Sequence, residues 1–272
     1  MEGLSSKLKN HLNKLKQSNE YCDKHQTWKV ETTYGSVFCM ACTKEEIDEE
    51  THKIAQESYE NALKHKTYGM LDRLSIFSDK TIKQASFENY DTKTKEESTN
   101  KAYAQKLAEQ YISGKNFNTL LTGNPGAGKS HLSMAMLKEI NEESRPFKKC
   151  LFVSIDEVFR RIKNSFNSNS HFTESYAIDL LSEPDILVID DLGSESGSIG
   201  NSQATEFTNR VLYSIINSRM GKSTITTTNL TNAQLSKKYD RKLLSRLYQG
   251  VKTNKSLIQF KETKDKRLDL DF

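Results

Sequence analysis

The sequence predicts an α/β fold, a parallel β-sheet flanked by helices from residue 86 onward, preceded by a small α+β module that binds a metal. Three observations predict it. Strand-like runs alternate with helical runs through the last two thirds of the chain, as in a parallel sheet with crossover helices. One of those runs leads directly into G-x-x-x-x-G-K-S at residues 123–130. Near the start, a C-x-x-H pair and a C-x-x-C pair are separated by thirteen residues.

The length of 272 residues allows one large domain or two modest ones. Hydrophobic residues make up 35% and charged residues 28%, which suits a packed domain beside a polar, partly extended segment. No apolar run reaches the length of a membrane span, so no membrane partner is expected. The opening residues lack an apolar stretch followed by a cleavage site, so a cytoplasmic protein is expected. A net charge of +4 permits nucleic-acid contact without demanding it.

Leu4, Leu8, Leu12 and Leu15 share one face of an expected helix over 4–17. That stripe packs either on its own domain or on a partner helix. Residues 20–43 combine cysteine, histidine and a β-rich run before a turn at Gly35, and read as a small hairpin-bearing module. Within it, Cys22, His25, Cys39 and Cys42 have the spacing of a structural zinc site. Zinc takes four tetrahedral N/S ligands, and each short C-x-x-C or C-x-x-H loop presents two. His52 is a weaker substitute ligand. Cys150 opens an apolar run and reads as core. Residues 44–66 are highly charged and free of helix breakers, so a solvated helix is expected, then a linker over 67–85. The resulting domains are 1–66, a linker 67–85, and 86–272.

In the third region, strands are expected at 118–122, 150–154, 186–190, 223–228 and 256–260. Helices are expected near 98–114, 129–143, 155–167, 203–219 and 231–248. The cradle Gly123, Asn124, Pro125, Gly126, Ala127, Gly128, Lys129, Ser130 lies between a strand and a helix, the context its chemistry requires. Glycines let consecutive N–H groups turn toward phosphate oxygens, and the helix adds its positive end. Lys129 reaches the outer phosphates, and the Ser130 hydroxyl is a ligand for Mg²⁺. The run DILVIDDLG at 185–193 reads as a strand buried on both faces, with two carboxylates at its carboxyl end. Asp190 would join Ser130 on magnesium, and Asp191 would direct or deprotonate the attacking water.

These pieces resemble the AAA+ ATPases of the DnaC/DnaI/IstB group, most of all DnaI-type replicative helicase loaders of bacteria or phages. The resemblance rests on SFENY at 86–90, on the cradle followed by His131-Leu132, and on IDDLG at 189–193. It implies an ATPase using ATP/ADP and Mg²⁺, with His131 beside the nucleotide and no separate lid domain. The run STITTTNL at 223–230 is similar to the group's sensor strand, which puts Asn229 near the γ-phosphate. RKLLSRLY at 241–248 resembles the arginine-finger helix. It implies that Arg246, with Arg241 as fallback, serves a neighbouring copy in a head-to-tail homo-oligomer. KDKR at 264–267 resembles a shortened second sensor with Arg267. In helicase loaders the helix after the second strand touches single-stranded DNA, which points to Arg161, Lys163 and Phe166. An amphipathic helix with a solvated basic face is the other reading of those residues. A zinc-bearing amino-terminal domain resembles the one that grips the DnaB-family helicase.

Two departures stand out. The usual Asp-Glu is Asp-Asp here, and the Ser/Gly-rich loop 194–203 does not align with the group residue by residue. Together these features imply an ATP-dependent helicase loader, with an IstB-like transposition helper or a nucleotide-gated adaptor of little hydrolysis as alternatives.

Overall fold

A computed structural model describes residues 15–167, 170–195 and 204–266. The chain divides into two compact units, Met1–Leu63 and Lys64–Phe272.

In the first unit, β1 (Lys16–Cys22), β2 (Thr27–Glu31) and β3 (Val37–Phe38) form a small antiparallel sheet in that order. Tyr21 faces Trp28, and Cys22 faces Thr27 across the first hairpin. The second hairpin turns through Gly35 at φ +83°, a conformation glycine adopts without steric cost. Helix α1 (Met40–Lys66) follows, and none of its 27 residues is buried. It is the solvated helix expected from the sequence, begun four residues earlier. Among described residues 15–63, only Ser18, Cys22 and Cys39 are buried. The described residues of this unit therefore form no apolar core of their own. The helix expected over 4–17 falls mostly outside the described residues, and Lys16 and Gln17 open β1 instead.

The second unit contains α2 (Met70–Leu74), α3 (Lys95–Ile112), β4 (Thr119–Gly123), α4 (Lys129–Glu143), β5 (Cys150–Ser154), α5 (Ile155–Ser165) and α6 (Glu174–Ser182). It continues with β6 (Ile186–Asp190), α7 (Glu206–Ser218), β7 (Ser223–Thr228), α8 (Asn232–Lys238), α9 (Arg241–Leu247) and β8 (Leu257–Phe260). The five strands pair in parallel in the order β5-β6-β7-β4-β8.

The continuous apolar strands make sense in this sheet, because alternate residues face opposite cores. Leu120, Leu151, Val153, Leu187 and Ile189 pack in the core that holds residues of α5, α6, α7 and α9. Leu121, Phe152, Ile186, Val188 and Ile258 pack with α3 and α4 residues on the other face.

Three expectations change. Segment 67–85 is no free linker: Met70, Leu71 and Ile76 are buried, and Ile76 exchanges backbone hydrogen bonds with Phe152 and Ser154. Its apolar residues are irregularly spaced, so periodicity did not betray them. Helix α6 was not anticipated; Thr173 caps it by accepting from the Tyr176 amide. The single helix expected over 231–248 is two, because Tyr239 and Asp240 are extended. A short α8, capped by a Thr231/Gln234 box, stops where the Tyr239 side chain turns into the core.

Candidate nucleotide site and metal centre

The cradle lies where β4 gives way to α4, at the carboxyl edge of the sheet, where ligands bind open α/β folds. Gly123 must be glycine: a Cβ there would lie 2.2 Å from the Phe260 carbonyl oxygen of the neighbouring strand. Gly128 sits at φ +93° against the Tyr90 ring, which leaves no room for a side chain. The Lys129 ammonium donates to the carbonyls of Gly123 (2.9 Å) and Asn124 (2.6 Å), so it spans the loop.

The acidic strand ends beside it. Asp190 is buried, and burial raises its pKa to about 6, against hydrogen bonds from Thr227 and Ser130 that lower it. The Ser130 hydroxyl and the Asp190 carboxylate are thus neighbours. A hydroxyl and a buried carboxylate are the oxygen donors magnesium prefers, and a cation would favour the ionised acid. Asp191 adopts φ +57°, the left-handed region, directly after the strand ends. Asn229 donates to its Oδ1 at 2.8 Å.

Thr227 ties the two acids together and was missed in the sequence. Its hydroxyl donates to Asp190 Oδ1 (2.6 Å) and accepts from the Asp191 amide (2.8 Å). Three threonines stand in a row in β7, and only the sheet register selects this one. Thr227→Val keeps the shape but leaves a buried acceptor and a donor unsatisfied. It is expected to cost about 1–3 kcal/mol in urea unfolding.

Other expected residues lie elsewhere. The His131 ring donates from Nε2 to the Ser86 carbonyl at 2.9 Å and meets the Tyr90 ring edge-on, with burial lowering its pKa. Through these contacts the ring braces segment 86–90 against α4. Lys266 donates its amide to Gly126 and its ammonium to the Asp91 carbonyl, so the segment before Arg267 lies on the cradle. Arg267 itself lies outside the described residues.

Arg246 is not at its own cradle. Its guanidinium meets the Met220 sulfur, and Asn118, at the amino end of β4, donates to the Arg246 and Leu247 carbonyls. Arg241 is exposed at the start of α9. On α5, Arg161 pairs with Glu157 at 2.8 Å and lies over the Phe172 ring, while Lys163 is exposed. Phe166 is 61% exposed and touches Phe207 edge-on.

In the first unit, one atom each from Cys22, His25, Cys39 and Cys42 lies within 4.8 Å of the others. Four of the six separations run from 3.3 to 3.7 Å. With bonds of about 2.3 Å to sulfur and 2.0–2.1 Å to nitrogen, a zinc tetrahedron has edges of about 3.5–3.8 Å. The donor set and spacing therefore fit zinc through His25 Nδ1. His25 Nε2 meets Glu45 at 2.9 Å, a carboxylate that fixes the tautomer and ring orientation. Glu45 was illegible in the sequence because α1 carries many acids. His52 is exposed on α1, outside the cluster. Cys150 is fully buried in the sheet, and burial raises its pKa.

The sequence profile of the family described as IstB-like ATP binding protein matches residues 51–251. The chain belongs to that family. The IstB-like domain is similar to the replicative helicase loader DnaC of Escherichia coli K12, at 29% identity over 113 residues, 42% of this chain and 44% of that protein. DnaC of Buchnera aphidicola from Schizaphis graminum is 31% identical over 117 residues, with the same coverage. Each match spans less than half of the relative. A crystal structure of DnaI superposes with a TM-score of 0.52 at 21% identity, covering 69% of this chain and 95% of that one. The IstB-like chain thus has the AAA+ core arrangement, a helix-flanked parallel sheet, behind a small antiparallel sheet carrying the Cys/His cluster. No described helix is long and apolar enough to cross a membrane.

Proposed function

We propose that this protein is an ATP-dependent loader that places a DnaB-family replicative helicase on single-stranded DNA in the cytoplasm. The observation that carries the nucleotide chemistry is the meeting of Lys129, Ser130, Asp190, Asp191 and Asn229 around one loop. The helicase reading is supported by the relatives, which are named replicative helicase loaders.

The amides of the cradle and Lys129 would hold the phosphates of ATP, and Ser130 and Asp190 would hold Mg²⁺. Magnesium when bound offsets charge on the phosphate oxygens. Asp191, held by Asn229, orients the attacking water and takes its proton. Arg246, at the opposite end of β4 from its own cradle, would serve a neighbouring copy, which requires head-to-tail assembly. Aspartate at 191 reaches less far than glutamate, so turnover is slow and stimulated by partners. Residues 1–66, with zinc held by Cys22, His25, Cys39 and Cys42, would bind the helicase. Segment 67–85 and the core 86–272 would form the ATPase. Arg161, Lys163 and Phe166 would meet phosphates and a base of the single strand.

The test combines two measurements on the full chain. Lys129→Ala is expected to lower ATP turnover by about 10²-fold or more, read with DNA and helicase present. Light scattering after size exclusion should show a stable complex with the source organism's replicative helicase in ATP and Mg²⁺. Absence of any complex in every nucleotide condition would sink the loader reading. Undetectable wild-type turnover beside an intact complex would favour the adaptor.

A further inference from the structure

Just beyond the acidic strand, Glu195 is buried at 5% exposure. Its Oε2 accepts the Gly193 amide at 2.9 Å, and its Oε1 accepts the Tyr239 hydroxyl at 2.5 Å. Neither oxygen is free to act on a ligand, and neither group belongs to the chemistry assigned above. Their placement is informative. Gly193 lies two residues after Asp191, in a turn so tight that a Cβ at Gly193 would meet the Leu230 side chain at 2.6 Å. Ser194 binds the Asp191 carbonyl from both its amide and its hydroxyl. Leu192 in turn is fastened to β7 through Thr227 and Thr228. The turn from Asp191 to Glu195 is therefore one braced piece.

Tyr239 stands at the break between α8 and α9 and is 3% exposed. Its amide closes α8 on Leu235, and the next residue, Asp240, accepts the Leu244 amide in the first turn of α9. Helix α9 carries Arg246. The break is thus the pivot about which the finger helix is set, and Glu195 holds that pivot to the acidic turn.

We propose that the Glu195–Tyr239 hydrogen bond positions the finger helix α9 according to the state of the acidic turn, so that nucleotide at Asp190–Asp191 alters the setting of Arg246. Both are positioning residues, acting through Asp191 at one end and Arg246 at the other. The proposal rests on the nucleotide reading of the cradle. Coupling of this kind needs a discrete element that both sites bias, and the pivot at Tyr239 supplies one.

The test is hydrogen exchange of residues 241–248 in the full-length protein, without nucleotide and saturated with a slowly hydrolysed ATP analogue. Fluorescent-nucleotide binding is read on the same sample. In the wild type, nucleotide should change exchange in this segment about fivefold or more, the lower end of ordinary coupling. In Tyr239→Phe, which keeps the ring and loses the hydroxyl, nucleotide should still bind and the change should fall to less than half. Glu195→Gln retains one acceptor oxygen and should show the same partial loss; it serves if the tyrosine variant does not fold. An undiminished response in folded variants that bind nucleotide overturns the proposal, as does a wild-type helix that ignores bound nucleotide. Failure of the wild type to bind nucleotide overturns the cradle reading and the coupling with it, and the fluorescence signal tells the cases apart.

Discussion

Stripping zinc from the amino-terminal cluster is expected to unfold residues 15–63 and leave the five-stranded sheet standing. The cause is the lack of any other core among the described residues. The buried residues there are Ser18, Cys22 and Cys39, and two of these are cluster members. Helix α1 buries nothing, and a three-stranded sheet with a two-residue edge strand is marginal in water. Zinc held by the cluster would supply what apolar burial does not, since metal binding contributes roughly 10–16 kcal/mol to such modules. Trp28 is the single tryptophan of the chain and sits in β2, edge-on to Tyr21, so its fluorescence reports on this unit alone. Trp28 is already 50% exposed, so a strong chelator should show in its fluorescence anisotropy, which should fall as β2 is released, and far-ultraviolet dichroism should retain a melting transition from the second unit. Cys39→Ser should behave like the chelated protein. Unchanged Trp28 anisotropy in protein shown to be metal-free would refute this account of the module.

Arg219→Ala is expected to lower the stability of the second unit by about 2–5 kcal/mol. Arg219 is 3% exposed, and its guanidinium donates to the carbonyls of Leu181, Pro184, Asp185 and Ser223 and to the Thr224 hydroxyl. It joins the end of α6, the approach to β6 and the start of β7. Burial pulls its pKa down to about 9, so it stays charged at neutral pH. Truncation would leave several carbonyls buried without donors and open a cavity in the same place. Arg219→Lys keeps the charge but not the planar fork, so an intermediate loss is expected. Urea unfolding followed by far-ultraviolet dichroism measures both. A loss below about 1 kcal/mol for the alanine variant would mean that water can replace these bonds.

Much of the fold was legible because parallel strands buried on both faces are short, apolar and β-branched. The acidic strand matches its expected bounds, and the cradle strand is displaced by one residue. Helix ends were harder. The break at Tyr239–Asp240 has no proline or glycine to announce it, and α6 is only nine residues long. Segment 67–85 looked like a linker because its apolar residues follow no period, yet Ile76 pairs with β5.

What the sequence determined by itself was whatever depends on neighbours along the chain: the phosphate loop between strand and helix, the paired carboxylates, and the two Cys/His knuckles. Each needs its groups within a few residues, so spacing alone carries the information. Only the tertiary structure decided that Thr227 joins Asp190 to Asp191, that Glu45 orients His25, that the His131 ring turns to Ser86, and that Glu195 holds Tyr239. It also put Arg246 at the far end of β4 from its own cradle. These pairings join residues twenty to more than a hundred positions apart. A hydrogen bond works only within about 3 Å, and no local pattern records which distant residue the fold will bring that close.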